Sequence, residues 1–148
     1  MSDHRDLKVF RLSNSNALSL YKETRGIKGS DNLAIRSQLT RAAFSIAANI
    51  VEGNKSPSAK KFRQHVQTAI DSSHELDYHL ETVRDLDLLE LEKASHALRN
   101  NEEVRKMLSG LWTYLDCTAR REEEERERKK RRPRATTADA GSRGGEAS

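Results

Sequence analysis

His65, Asp71, His74, Glu75, His79 and Glu81 crowd one short stretch of the chain. Imidazoles and carboxylates at helical spacing are the groups that hold metal ions. A carboxylate-bridged centre in a helical bundle needs Glu-x-x-His on two helices together with further carboxylates. No Glu-x-x-His occurs here. Glu75 and His79 share a face, but one such pair is a weak signal, and surface or interfacial histidines are the plainer reading. The single cysteine, Cys117, has no histidine near it in sequence and reads as an inert, half-buried side chain. Gly-rich phosphate loops, a Ser nucleophile elbow and paired metal-binding cysteines are all missing from the sequence. The chain is therefore expected to have no catalytic residues, no metal and no cofactor, and not to be an enzyme.

The other chemistry that these residue types support is electrostatic. Lys55, Lys60, Lys61 and Arg63 bracket one turn, and Arg126, Arg128, Lys129, Lys130, Arg131, Arg132 and Arg134 form a basic run near the C-terminus. Such groups neutralise phosphates without reading base sequence, so binding falls steeply with salt. Glu122–Glu125 and Glu127 partly oppose the second run, which reads equally as a solubilising tail or as a contact for an acidic protein. With aromatics at 5%, stacking on single-stranded bases is disfavoured. Charge is also segregated. Residues 1–63 carry 12 Lys/Arg against 5 Asp/Glu, whereas residues 64–118 carry 5 against 11. A basic half and an acidic half suit an anionic ligand or ordered self-association; solvated helix faces of accidental sign are the bland alternative.

The elements that position these groups read as helices. Few Gly, few Pro and few aromatics argue against a sandwich or barrel. The first helix is expected over about Asp3 to Thr24, with Leu7, Phe10, Asn14, Ala17, Leu18 and Tyr21 as its stripe. The second starts at Ser30 or Asp31 as N-cap, carries Ile35, Leu39, Ala42, Ile46 and Ile50, and stops at Gly53-Asn54. The third starts with Ser56 as cap and Pro57 in the first turn, and keeps its period through Phe62, Val66, Ala69, Ser73, Leu76, Leu80 and Val83. The fourth begins near Leu89 or Leu91 and carries Ala94, Leu98, Met107, Leu108, Leu111, Trp112 and Leu115. Arg99-Asn100-Asn101 reads as a kink or break in it, and Trp112 as a core anchor between helices one and four. The fold class is all-α: an antiparallel up-down-up-down four-helix bundle with a charged C-terminal extension. The divisions are 1–118 for the bundle, 119–133 for a charged extension able to continue helix four through i,i+4 pairs, and 134–148 for a disordered tail. The longest uncharged apolar run, residues 42–51, is about half of a membrane span. No secretory signal opens the chain, and one cysteine fits a reducing compartment, so the expectation is a cytoplasmic protein with no membrane contact.

One feature of the second helix resists a simple core reading. Gln38, Arg41, Ser45, Asn49 and Glu52 form a polar stripe beside the apolar one, and helix three offers His65, Thr68, Ser72, Glu75 and His79. Two such stripes hydrogen-bond across the helix pair or line a subunit interface. A half-buried Arg41 would need a carboxylate, with Glu75 or Glu52 as candidates.

The run QLTRAAFSIAANIVEG at 38–53, then Ser56 and Phe62, then SSHELDYHL at 72–80, resembles the four-helix-bundle family that includes proteins encoded in intervening sequences of large-subunit ribosomal RNA genes. The accessory proteins of diversity-generating retroelements are similar at greater distance. The matching positions are Gln38, Leu39, Arg41, Ala42, Ser45, Ile46, Asn49, Ile50, Glu52 and Gly53, then Ser72, Glu75 and Leu76, with DLKVF at 6–10 fitting the family's start; the resemblance covers about residues 6–115. Where the family commonly has Phe-Pro and Glu-x-Tyr before the Gln-Leu, this chain reads GIKGSDNLAIRS, and where it often has Pro after Ser-Ile, this chain has Ala47. The resemblance implies a bundle that assembles into a homo-oligomeric ring, a pentamer, without enzymatic activity. It also implies contact with RNA or DNA, or with a nucleic-acid-processing protein, through basic surface.

The expected function is thus a non-enzymatic oligomeric scaffold that binds RNA or a nucleic-acid-processing protein. Arg41, Lys55, Lys60, Lys61 and Arg63 would make the contact, with Arg128, Lys129, Lys130, Arg131 and Arg132 as an auxiliary arm. Gln38, Ser45, Asn49, Glu52, Gly53, Ser72 and Glu75 would serve architecture and assembly. A protein-binding scaffold with no nucleic-acid contact is the alternative.

Overall fold

The computed structural model describes residues 3–135. A 3₁₀ turn, His4–Asp6, precedes four helices: α1, Lys8–Glu23; α2, Ser30–Asn54; α3, Ala59–Asp85; and α4, Leu91–Arg131. Consecutive helices pack against one another and α1 closes on α4, giving a four-membered antiparallel bundle. Of the expected disordered tail, residues 136–148 lie outside the described residues.

The core follows the apolar stripes of α2 and α3 as the sequence predicts. Leu39, Ala42, Ile46 and Ile50 of α2 meet Val66, Ala69, Leu76, Leu80 and Val83 of α3, all buried. On α1 the expected face is turned by about one residue. Val9, Ser13, Asn16, Ala17 and Leu20 are buried, whereas Leu18 and Tyr21 are 45% and 41% exposed. The polar members of the true face are satisfied: Ser13 Oγ donates to the Phe10 carbonyl at 3.0 Å and Asn16 Nδ2 to the Ala97 carbonyl on α4 at 3.3 Å.

Helix starts differ from the expected caps. Gly29, at φ 98°, is the N-cap of α2, a left-handed conformation that a glycine adopts without steric cost. Ser58, rather than Ser56, caps α3 by accepting from the Lys61 N–H at 3.2 Å; Ser56 Oγ instead donates back to the Glu52 carbonyl at 3.2 Å.

α4 runs without interruption through Arg99-Asn100-Asn101 and past residue 118. The expected kink is absent because Asn101 is fully buried and bonded to α3. Its Nδ2 donates to the Ser73 carbonyl at 2.6 Å and to Asp77 Oδ1 at 2.7 Å. Arg105 completes the cluster, reaching Asp77 Oδ2 at 2.7 Å and the Ser73 carbonyl at 3.3 Å. Trp112 is half-buried, and Arg63 of α3 lies 5.5 Å from its ring centroid, so this indole is engaged from α3. Cys117 is exposed rather than half-buried.

Candidate nucleic-acid interface

The polar stripe of α2 is closed at its centre by the stripe of α3. Ser45 Oγ and Ser72 Oγ are 2.9 Å apart. Asn49 Nδ2 donates to the Ser45 carbonyl at 2.9 Å, and Asn49 Oδ1 lies 3.3 Å from His65 Nδ1. His65 Nδ1 also stands 3.7 Å from Glu52 Oε2. These contacts tie two half-buried rows together without burying a free charge. Outside them, Gln38, Arg41, Thr68 and Glu75 are exposed. Arg41 has no carboxylate at ion-pair distance among the described residues, so it is a solvent-facing cation rather than a half-buried one. The antiparallel register that pairs Ser45 with Ser72 sets it level with Glu75, whose carboxylate lies 3.5 Å from His79.

Gly53, near the end of α2, lies against Phe62 and His65 of α3. A Cβ there would lie 2.5 Å from Phe62 Cδ2 and 3.0 Å from His65 Cβ. The small residue lets Phe62 seat against the α2 backbone and so fixes the turn that carries Lys55, Lys60 and Lys61. Those three lysines are exposed, and none ion-pairs among the described residues. Arg63 differs from them. It pairs with Asp116 and stacks on Trp112, and Asp116 is also held by Arg120 at 3.0 Å. Its charge is met inside the molecule, and it joins α3 to α4.

The basic run sits on the part of α4 that continues beyond the bundle. Glu122 marks the last tether: its Oε2 accepts from the Ala59 N–H at 3.3 Å, placing a carboxylate at the N-terminus of α3. Beyond it, Glu123–Arg132 are exposed, and none of the expected i,i+4 ion pairs closes among them. Arg131 lies about 13 Å further along the axis than Glu122. An open groove between Lys60 and this extension is lined by Glu122, Glu123, Arg126, Glu127 and Lys130. Glu122→Ala is expected to cost about 0.5–1 kcal/mol by removing the charge at the start of α3. Urea denaturation of the two chains checks this, with Glu124→Ala, whose side chain is exposed, as the neutral control.

Among the described residues no group of three or more His, Cys, Asp and Glu side chains is placed to hold a metal ion, and His65, His74 and His79 do not converge. No helix among them is long and apolar enough to cross a membrane.

The arrangement of helices has counterparts among known proteins. Residues 5–110 match the model of a family described as 23S rRNA-intervening sequence protein. The crystal structure of a protein of unknown function from the S23 ribosomal protein family of Bacteroides thetaiotaomicron superposes with a TM-score of 0.62 at 22% identity, over 70% of this chain and 97% of that one. No curated protein matches the chain. The basic extension lies beyond the matched residues.

Proposed function

Since the chain belongs to the 23S rRNA-intervening sequence protein family, we propose that it is a non-enzymatic bundle scaffold that associates with copies of itself and holds RNA by its phosphate backbone. The observation that carries this reading is the set of unpaired cations at one end of the bundle. Lys55, Lys60 and Lys61 have no carboxylate partner among the described residues, and α4 projects Arg126, Arg128, Lys129, Lys130, Arg131 and Arg132 past the same end. Rigid helical presentation lowers the entropy cost of engaging a polyanion, compared with a coil of the same composition. Arg63, already neutralised by Asp116, contributes by placing α3 against α4 rather than by touching phosphate. Arg41 belongs to the exposed remainder of the polar stripe, with Gln38 and Glu75, a surface we assign to contact with a neighbouring copy.

The test is fluorescence anisotropy with a labelled RNA hairpin and a DNA duplex across a salt series. Three chains are compared: the full chain, a chain ending at Glu127, and K55Q/K60Q/K61Q. Ending at Glu127 preserves the Glu122 tether. Each lost phosphate contact should flatten the slope of log K against log salt by about 0.7–0.9. Both variants are expected to bind more weakly with shallower slopes. A full chain that shows no salt-dependent binding removes the RNA reading and leaves the protein-binding scaffold. Light scattering at micromolar concentration tests assembly, which a monomeric mass would remove.

A further inference from the structure

The opposite end of the bundle holds a second group of cations, at the loop between α1 and α2. Tyr21, in the last turns of α1, has the Arg25 guanidinium 5.3 Å and the Arg36 guanidinium 5.1 Å from its ring centroid. Arg36 is held at two further points: its Nε donates to Thr24 Oγ1 at 3.3 Å and its Nη2 to the Tyr21 carbonyl at 3.4 Å. The support beneath is rigid. Thr24 is fully buried and its hydroxyl donates to the Leu20 carbonyl at 2.6 Å, while Ile27 is buried and its N–H donates to the Thr24 carbonyl at 3.1 Å. The Tyr21 ring in turn meets Phe44 of α2 edge-on, with centroids 6.3 Å apart.

Nothing in the described chain neutralises this pair. Neither Arg25 nor Arg36 has a carboxylate at ion-pair distance among the described residues, and the Arg25 guanidinium has no hydrogen-bond acceptor there. Lys22 and Lys28, also exposed and unpaired, flank it. Of the acids at this end, Glu23 lines a groove toward α4 with Glu90, Glu92, Lys93, His96 and Arg99, and Asp31 sits in the first turn of α2. Each guanidinium lies against the Tyr21 ring, which orients its charge without supplying a counter-ion. Arg36 spends two of its five N–H donors on the protein, which leaves three for a ligand. Guanidiniums held in place by a ring and by backbone are preorganised for phosphate oxygens.

We infer that Arg25 and Arg36, held against Tyr21, form a second contact for the RNA phosphate backbone at the end of the bundle remote from Lys55–Lys61. This rests on the RNA reading above and extends it. The 25 residues of α2 separate the two ends by about 37 Å, so a polyanion long enough to lie along the bundle touches both. The donors on offer are guanidinium N–H groups suited to phosphate oxygens, so the contact is to backbone and indifferent to sequence.

The experiment measures anisotropy of two labelled RNA duplexes of unrelated sequence, each longer than α2, across a salt series. The chains are the full-length protein, Arg25→Gln, Tyr21→Leu, Tyr21→Phe and K55Q/K60Q/K61Q. Arg25→Gln removes an exposed side chain that makes no hydrogen bond or ion pair among the described residues, so its helicity by circular dichroism should match the parent. The expected result is binding roughly threefold to tenfold weaker for Arg25→Gln on both RNAs, with a salt slope shallower by about 0.7–0.9. Tyr21→Leu should weaken binding similarly, because the guanidiniums lose their platform, and Tyr21→Phe should leave it unchanged. If Arg25→Gln and Tyr21→Leu bind as the parent does while K55Q/K60Q/K61Q is weakened, the second contact is overturned and the RNA reading stands. If the parent chain itself shows no salt-dependent binding, both fall.

Discussion

Replacing Asp77 by alanine is expected to cost about 2–3 kcal/mol of folding free energy. The carboxylate is the hub of the only cluster among the described residues in which a buried α4 side chain and an α4 cation both reach one α3 acid. Arg105 Nη2 stands 2.7 Å from Oδ2 and Asn101 Nδ2 2.7 Å from Oδ1. Arg105 and Asp77 side chains are 21% and 24% exposed, so water screens the pair partly and the cost stays below that of a fully buried ion pair. Asp77→Ala leaves the Arg105 charge without its partner and returns nothing to Asn101, whose Oδ1 already lacks a partner among the described residues. The cluster also sets register, because Asn101 and Arg105 both converge on the Ser73 carbonyl. A slide of α4 along α3 would break all of these bonds at once. Guanidinium denaturation of Asp77→Ala, Arg105→Ala and the double variant measures the coupling. A double variant no less stable than either single one is expected, since the second removal takes away a group already stranded. Additive losses would mean that the two side chains act separately. Two subunit concentrations should be used, because self-association adds to apparent stability.

Gly53→Val is expected to cost about 2–3 kcal/mol, and Gly110→Ala to add about 0.8–1 kcal/mol. Both glycines lie inside helices, where glycine is the costlier residue by backbone entropy alone. They differ in what surrounds them. A Cβ at 53 meets Phe62 Cδ2 at 2.5 Å and Phe62 Cε2 at 2.8 Å, with His65 Cβ behind at 3.0 Å, whereas a Cβ at 110 meets nothing within 4 Å. The Phe62 ring can swing only by leaving its seat on the α2 backbone, and His65 Cβ belongs to a helix that cannot yield alone. Gly53→Ala should fall between these cases, because about 1 kcal/mol of regained helix propensity offsets part of the overlap. Thermal denaturation of the three variants gives the order directly. A Gly53→Val chain as stable as the parent would mean that α2 and α3 are free to separate at this end. The same variant should also disturb the turn carrying Lys55, Lys60 and Lys61, so its RNA affinity should fall together with its stability.

Much of the bundle is legible from periodicity. The stripes of α2 and α3 were readable because their core positions are apolar and the flanking ones are solvated, the condition under which a 3.6-residue pattern reports burial. The same rule misplaced the face of α1. Ser13 and Asn16 are buried although polar, because Phe10 and Ala97 supply carbonyls; Leu18 and Tyr21 are exposed although apolar in type. Asn101 misled for the same reason. A polar residue in a helical pattern reads as a break unless its partner, here 28 residues away on α3, is known.

The candidate interface divides along the same line. Lys55, Lys60, Lys61 and the run from Arg126 to Arg132 were visible because charge density is a property of composition. That Arg63 is neutralised by Asp116, and that Arg25 and Arg36 meet on Tyr21, were not visible, because each pairing joins residues on different elements. Glu122 reads in sequence as one of a row of glutamates, yet it alone reaches the N-terminus of α3. The sequence by itself determined the helices, their number, three of the four core faces and the sign of each charged segment, all set by local composition and short-range periodicity. Only the tertiary structure decided which polar side chains are satisfied and which cations remain without a counter-charge. That depends on long-range geometry: a few ångströms between helices separate a neutralised guanidinium from one left without a counter-charge.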